Sequence, residues 1–278
     1  TPLPRGRLPL MSGELYDDLD PLYREIWGTS LHHGLWQSGQ ESPRQARAQL
    51  IDFALDRLRP RGTIADVGCG YGTLSLRLVD QFPCEVHSFT NSSKQASAIP
   101  GHPKIHPHHC DWLDHNLPPE SLDQAIALES LSHFEDFEKF ARRTYEALKP
   151  GGSLLIADWF GADSPGRLLR HLAKAGEIPP WRSLKEFQAL ASRQGFLSLE
   201  SYDLSSQAAP TWTALFFRTL SLPFRSPFLL PTLIRQAMRR PALLWCVPLL
   251  RLAYHRKSLQ YHLIRLKKTD KVSSRPSS

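Results

Sequence analysis

Three glycines at alternate positions, Gly68, Gly70 and Gly72, separate an apolar run from an amphipathic one in the segment IADVGCGYGTLSLRLV. After a strand, glycines let the chain turn sharply and let a ligand approach the backbone, while the start of the next helix offers free N–H groups. This segment therefore predicts a nucleotide-like ligand. The pattern has Thr73 at its sixth position, so it does not match the G-x-G-x-x-G spacing of dinucleotide folds.

A second group of reactive side chains follows the apolar run LDQAIAL. Glu129 and His133 lie there, four residues apart, in the segment ALESLSHFEDF. Because ligands bind at the carboxyl ends of strands in an open α/β sheet, we expect both side chains to border the binding crevice. Alternatively, His133 caps a helix that begins near Glu135. Three more side chains could reach the same crevice: His32, His33 and Asp158.

The elements that must position these residues alternate from Thr63 onward. Short apolar runs (TIADV, EVHSF, KIHPHH, LDQAIAL, GSLLIAD) are separated by helical patterns, which predicts a parallel α/β sheet with crossover helices. We expect 150–152 (Pro-Gly-Gly) to close the helix before the fifth strand, and Gly195 to end the helix SLKEFQALASRQ. An amphipathic helix starting at the Ser-Pro cap of 42–58 precedes the sheet, and LQYHLIRLKK is the predicted final strand.

Composition and charge narrow the function classes. The 278 residues are 41% hydrophobic and can bury the core of one large domain. The net charge is +7, but 204–269 contains 11 Lys or Arg and no Asp or Glu, so the remainder sums to 23 − 27 = −4. The arginines are spaced through apolar residues, which argues against a nucleic-acid partner. Prolines and strand alternation argue against a metal site in HPKIHPHHCDW.

The expected location is the cytoplasm. The segment TPLPRGRLPL holds no apolar core of signal-peptide length, and the sequence contains no uninterrupted apolar stretch of about 18 residues. The four cysteines lie far apart without CxxC spacing, which favours reduced thiols.

Further motifs resemble a known family. Asp66 before the glycines resembles motif I of the class I S-adenosylmethionine-dependent methyltransferases. Thr90 with Gln95 is similar to the subgroup of tocopherol, sterol and alkaloid methyltransferases and cyclopropane fatty acid synthases. Asp111 and Trp112 stand where the family places an acid and an aromatic ring for adenine. The segment YDDLDPLYREIWGTSLHHGLW resembles the N-terminal cap of the tocopherol methyltransferase group, so the resemblance covers 16–202.

The resemblance implies a doubly wound, mostly parallel seven-stranded sheet of Rossmann-like methyltransferase type and S-adenosylmethionine as cofactor. It implies that His133 borders the acceptor and removes a proton or forms a hydrogen bond, with Glu129 orienting it or touching the cofactor, and with His33 as a further catalytic candidate. The implied cofactor-binding residues are Tyr16, Asp66, Gly68, Cys69, Gly70, Gly72, Thr90, Asn91, Gln95, Asp111, Trp112 and Glu129.

One departure limits the reaction. Cyclopropane synthases have Glu immediately before the histidine of this loop, whereas this chain has Ser132, which puts cyclopropanation in doubt. We expect a methyl group to go to O, N or C of a small, lipophilic acceptor of prenylquinol, sterol, polyketide or alkaloid type. The alternatives are a non-catalytic cofactor- or membrane-binding protein with this fold, and a nicotinamide-dependent oxidoreductase.

The predicted organisation leaves one segment with three interpretations. The apolar and basic stretch 210–257 is a lid over a lipophilic pocket, an element resting on a membrane surface, or a subunit interface, and the oligomeric state stays open. The predicted regions are an N-terminal segment (1–13), a helical cap (14–60), the cofactor-binding core (61–204), the lid insertion (205–257), a final core strand (258–269) and a disordered tail (270–278).

Overall fold

The sheet has seven strands in the order β3-β2-β1-β4-β5-β7-β6. A computed structural model describes residues 13–163, 166–175, 181–239 and 243–269. The predicted tail 270–278 and most of the predicted N-terminal segment lie outside the described residues. The strands are β1 Gly62–Val67, β2 Cys84–Thr90, β3 Ile105–His109, β4 Leu122–Leu128, β5 Leu148–Gly161, β6 Phe196–Asp203 and β7 Leu259–Lys268.

The strand order creates a crevice above β1 and β4. Strands β3, β2, β1, β4 and β5 run parallel, whereas β7 pairs antiparallel with both β5 and β6. The chain leaves β1 toward β2 on one side, and β4 lies on the other side of β1. Ligands of open α/β sheets bind at such a reversal of strand order, outside the carboxyl ends of the strands. The predicted doubly wound, mostly parallel seven-stranded sheet is confirmed.

Helices cover both faces of this sheet. Side chains alternate along a strand, so Ile64 of β1 belongs to one buried cluster and the adjacent Ala65 to the other. The described helices are α1 Gly13–Ile26, α2 Pro43–Leu58, α3 Thr73–Gln81, α4 Ser93–Ala98, α5 Phe137–Ala147, α6 Arg167–Ala175, α7 Leu184–Gln194, α8 Ser205–Ala208, α9 Pro210–Leu220, α10 Leu222–Arg225, α11 Leu230–Arg239 and α12 Leu243–His255. Three short 3₁₀ helices add Trp112–Asp114, Leu131–His133 and Pro227–Leu229.

Two helices begin with a capping box, of which the cap at Ser42 was predicted from the sequence. The hydroxyl of Ser42 accepts the N–H of Gln45 before α2, and the hydroxyl of Ser183 accepts the N–H of Glu186 before α7. In both cases the third helical residue bonds back to the cap, which satisfies a second free N–H group. The predicted stop of α7 at Gly195 is also observed.

Two local predictions were wrong. Residues 150–152 do not close α5, because that helix ends at Ala147 and β5 begins at Leu148; the Pro-Gly-Gly stretch forms an irregularity in the pairing of β4 with β5. His133 does not cap α5 either. The cap is Asp136, whose carboxylate accepts the N–H of Lys139 at 2.8 Å, while His133 ends a separate 3₁₀ helix.

The described residues between β6 and β7 are mostly helical. They comprise α8 to α12, and α9 and α12 pack on each other beside the sheet. A small apolar cluster joins this segment to α1 through Leu19 and Leu22 on one side and Leu222 and Leu229 on the other. None of the described helices is both long and apolar enough to cross a bilayer.

The cap of α5 gives a stability test. We expect Asp136→Ala to lower the free energy of unfolding by about 1 kcal/mol, because the N–H of Lys139 loses its acceptor. The neighbouring Glu135→Ala changes an exposed side chain that does not cap α5, and should stay within about 0.5 kcal/mol of the parent. Urea unfolding followed by circular dichroism measures both, and equal losses would contradict the assignment of the cap.

Candidate active site

A cavity of about 330 Å³ lies at the carboxyl ends of β1, β2 and β4, closed on one side by α1. Nine of the twelve residues predicted to bind the cofactor line it. The lining residues are Tyr16, Leu31, Gly68, Gly70, Phe89, Thr90, Asn91, Gln95, Cys110, Asp111, Trp112, Leu128, Glu129, Ser130, His133 and Phe134.

The glycine loop forms the floor of this cavity. Gly68 has φ +74°, and a Cβ on it would overlap the Cβ of Ser130, so the loop and the end of β4 can approach only through a bare backbone. Gly70 has φ +56°, and a Cβ there would meet no atom within 4 Å. Since Gly70 lines the cavity, its missing side chain leaves room for a ligand. The cradle therefore fits a ligand that lies against the main chain.

Three predicted cofactor residues, Asp66, Cys69 and Gly72, do not line the cavity. The buried carboxylate of Asp66 accepts the hydroxyl of Ser75 at 2.6 Å. Burial raises the pKa of Asp66 to about 6, although the hydrogen bonds from Ser75 oppose this shift. Cys69 is buried and its N–H donates to the carbonyl of Phe89, while Gly72 precedes the first residue of α3. These three residues shape the loop from behind.

Polar side chains from the end of β2 form the opposite wall. The hydroxyl of Thr90 donates to Oε1 of Gln95 at 2.7 Å and accepts the N–H of Ser92 at 3.2 Å. Both Thr90 and Gln95 are buried, so the pair is held in place. Amide and hydroxyl groups at this position can bind the hydroxyls of a ribose.

The third wall follows β3. Trp112 is buried, its indole N–H donates to the hydroxyl of Thr144 at 3.0 Å, and its ring meets Phe89 edge-on. Oδ1 of Asp111 accepts the N–H of Leu113 at 2.8 Å, which fixes the carboxylate at the mouth of the cavity. An apolar ring beside a carboxylate suits a nucleobase that carries an amino group.

The histidines near β3 form a separate cluster. Nδ1 of His87 and Nε2 of His108 lie 2.9 Å apart, and Phe89 stacks on His108. Across the described ranges, no three side chains of His, Cys, Asp or Glu lie together as a metal-binding group would require.

Helix α1 is held over the cavity by two acidic side chains. The carboxylate of Asp17 accepts the hydroxyls of Ser92 at 2.5 Å and Ser93 at 2.6 Å, at the start of α4. One turn later, Asp20 accepts the hydroxyl of Tyr71 at 2.7 Å from the glycine loop. Sequence reasoning missed both aspartates, since nothing in the segment YDDLD tells which surface it meets.

His133 meets α1 inside the cavity. Its Nε2 lies 3.1 Å from the hydroxyl of Tyr16, and the two rings meet edge-on. Burial lowers the pKa of His133 to about 4, although the negative charge of Glu129 opposes this shift, so the imidazole is neutral at neutral pH. Its Nδ1 is buried and has no hydrogen-bond partner among the described residues. A neutral imidazole with a free nitrogen can bind a hydroxyl group of a ligand.

Glu129 joins the end of β4 to two distant parts of the chain. Its carboxylate accepts the N–H of His33 at 2.5 Å and the hydroxyl of Tyr261 at 2.8 Å, and lies 2.8 Å from Nδ1 of His33. Nε2 of His33 in turn lies 3.2 Å from the hydroxyl of Tyr254 in α12. Burial alone would raise the pKa of Glu129, but the attraction and hydrogen bonds of His33 outweigh it and lower the pKa.

The expectation that Glu129 orients His133 was therefore wrong, because the hydrogen bonds of its carboxylate go to His33 and Tyr261. His33 is fully buried and does not line the cavity, but it contacts Glu129, which does. The alternation of the last strand could have indicated Tyr261, whereas no local signal points to Tyr254.

A second buried carboxylate, Asp158, lies behind the His133 loop. It accepts the backbone N–H groups of Ser132 at 3.1 Å and Trp159 at 2.8 Å. Burial, and then repulsion from Glu129, raises the pKa of Asp158 to about 7 against these two hydrogen bonds. The indole of Trp159 donates to the hydroxyl of Ser132 at 2.9 Å and stacks on Trp212 of α9. An aromatic wall thus continues from β5 into the insertion.

Several known proteins are similar to this chain in sequence or in fold. A methyltransferase domain family model matches residues 40–201. The chain is 28% identical over 214 residues to 27-O-demethylrifamycin SV methyltransferase of Amycolatopsis mediterranei, covering 72% of this chain and 79% of that protein. It is 25% identical over 286 residues to chloroplastic tocopherol O-methyltransferase of Arabidopsis thaliana, with 92% and 81% covered. The cyclopropane synthase MmaA2 of Mycobacterium tuberculosis has the same fold, with a TM-score of 0.79, 18% identity, and 95% and 99% covered.

The sheet order and the sequence match define a class I methyltransferase fold, and its cavity lies at the ends of β1, β2 and β4. The chain belongs to the methyltransferase domain family, whose model spans more than half of its length. It is an S-adenosylmethionine-dependent methyltransferase.

The opening at Gly70 gives a binding test. Gly70→Val should weaken binding of S-adenosylhomocysteine at least tenfold, because the new side chain enters the cavity from a backbone with φ +56°. Gly39→Val is the matched control: Gly39 has φ +79°, open space around its Cβ and no place in the cavity lining. Titration calorimetry measures both affinities. Unchanged affinity in Gly70→Val would show that the loop does not contact the ligand.

Proposed function

We propose that this chain transfers a methyl group to a hydroxyl oxygen of a small, lipophilic acceptor. The observation that carries the proposal is His133, a neutral imidazole in the cavity that bonds Tyr16 through one nitrogen and has the other free among the described residues. Two similar proteins are named 27-O-demethylrifamycin SV methyltransferase and tocopherol O-methyltransferase. Within this proposal the acceptor is of prenylquinol, sterol, polyketide or alkaloid type.

The cavity walls support an assignment of cofactor-binding residues. Gly68 and Gly70 leave the bare floor for the methionine part, and Thr90, Asn91 and Gln95 offer groups for the ribose hydroxyls. Asp111 and Trp112 suit the adenine amine and ring. Asp66, Cys69 and Gly72 support the loop from behind instead of binding the cofactor directly.

When bound, S-adenosylmethionine supplies a methyl group already activated by its sulfonium. The chain must then align the acceptor oxygen, exclude water and take up a proton. Helix α1 covers the cavity and excludes water through its bonds to Ser92, Ser93 and Tyr71. The hydroxyl proton becomes strongly acidic as the oxygen forms its new bond, so even a weak base such as His133 can accept it. In this proposal the Nε2–H of His133 donates to the hydroxyl oxygen of Tyr16, and Nδ1 takes up the proton.

Removing the imidazole tests this role. His133→Ala should lower kcat about a hundredfold and leave the affinity for S-adenosylhomocysteine within about threefold, since a positioned base acts mainly in the transition state. His109→Ala is the matched control, because His109 is an exposed histidine outside the cavity. Transfer of a labelled methyl group to a panel of phenols and prenylated hydroquinones measures turnover. Equal turnover in His133→Ala would remove His133 from the mechanism.

The pH dependence of the same pair isolates the imidazole. The folded pKa of His133 is about 4, so its neutral, proton-accepting form persists as the pH falls from 8 to about 5. The ratio of kcat between the parent and His133→Ala should be constant over that range and shrink as the pH approaches about 4. A ratio that already falls between pH 7 and 6 would show a histidine with an ordinary pKa and contradict this environment.

The proposal extends to the surroundings of the enzyme. The stacking of Trp212 on Trp159 and the contact of Tyr254 with His33 support the proposal that the insertion 210–257 covers part of the site. The free cysteines Cys69, Cys84, Cys110 and Cys246 favour a reducing compartment such as the cytoplasm. A peripheral contact of 210–257 with a membrane would bring the enzyme to a lipophilic acceptor.

A further inference from the structure

Large apolar side chains protrude from the insertion. Phe224 is 89% exposed, Phe228 75% and Met238 79%, although such side chains are usually buried. Leu230, Ile234 and Met238 lie at intervals of four and so form one stripe along α11. Phe217 and Leu220 at the end of α9 are also exposed. We call this surface the apolar face: Phe217, Leu220, Phe224, Phe228, Leu230, Ile234 and Met238.

Positive charge borders the apolar face. Arg235 and Arg239 are exposed and lie one residue after Ile234 and Met238, so they form a second stripe beside the apolar one. Arg225 follows Phe224 and is also exposed, with a 3.5 Å ion pair to Glu25. From 204 to 269 the sequence has 11 Lys or Arg and no acidic residue. The face thus complements an anionic surface and repels a basic one.

The apolar face is seated on the helix that closes the active site. Leu222 and Leu229, on the inner side of this surface, pack against Leu19 and Leu22 of α1. The guanidinium of Arg218 donates to the carbonyl of Glu25 at 3.0 Å, at the end of α1. The same helix presents Tyr16 to His133. The surface and the cofactor cavity therefore share one structural element.

We propose that the apolar face inserts into the surface of an anionic lipid bilayer. Protruding Phe, Met, Leu and Ile side chains beside arginines are the arrangement of interfacial elements, in which apolar groups enter the acyl boundary and cations meet the headgroups. A second copy of the chain fits less well, because a two-fold contact of this face would bring the arginines of both copies into one interface, and 204–269 offers no acidic residue to pair with them. As an account of how the enzyme reaches a lipophilic acceptor, the inference rests on the proposed function.

Vesicle sedimentation tests this surface. The full chain should bind vesicles of phosphatidylcholine with about 30% anionic phosphatidylglycerol more tightly than vesicles of phosphatidylcholine alone. Phe224→Ser with Phe228→Ser, and separately Arg235→Gln with Arg239→Gln, should each weaken binding about tenfold or more. Leu197→Ser with Leu199→Ser is the matched control, because these residues of β6 are 54% and 41% exposed and lie outside the face.

The outcomes separate the surface from the catalytic site. Affinity for S-adenosylhomocysteine, measured without lipid, should be unchanged in all three double variants, which shows that they fold. If the parent chain does not bind S-adenosylhomocysteine, the proposed function is wrong, and the vesicle measurements alone then decide whether the apolar face binds lipid. The inference would be overturned if the chain did not bind vesicles, or if the Leu197 and Leu199 control weakened binding equally. It would also be overturned if light scattering showed a dimer that only the phenylalanine variant dissociates.

Discussion

The buried carboxylate of Glu129 is the interaction on which the site depends. It lies at the end of β4 with φ +57°, a backbone conformation that costs a non-glycine residue about 1 to 3 kcal/mol and persists only where surrounding contacts impose it. Those contacts are the hydrogen bonds from His33 and Tyr261, which bring the N-terminal segment and the last strand to the same carboxylate. Through Tyr254, His33 also fixes the insertion. One buried charge thus holds cap, core and insertion together.

This arrangement explains why the cavity is closed on the side of α1. The segment that ends at His33 is anchored by Glu129, and α1 before it is held by Asp17 and Asp20 on the neighbouring loops. Gly70 can remain without a side chain because other elements supply the walls of the cavity. Desolvation of His133 and closure by α1 are therefore consequences of the same packing.

The sequence predicted what depends on local pattern. Alternating apolar runs located the strands to within one or two residues apart from β5, and the spacing of the glycines located the sharp turn between β1 and α3. It could not predict contacts between residues far apart in the chain, such as Glu129 with His33 at a separation of 96 residues or His33 with Tyr254 at 221. For the same reason the sequence could not tell where the side chain of Asp66 points. An acid before a glycine loop can face the ligand or the following helix, and Asp66, which was predicted to bind the cofactor, faces Ser75.

The central claim is that a sulfonium nucleoside lies against the bare backbone at the head of the sheet, beside His133. A crystal structure with S-adenosylhomocysteine tests it most directly. The account predicts the ligand in the cavity of about 330 Å³, with its sulfur toward His133, its adenine beside Trp112 and α1 closed through Tyr16. A ligand bound elsewhere, or a loop at Gly70 that makes no contact with it, would contradict the account.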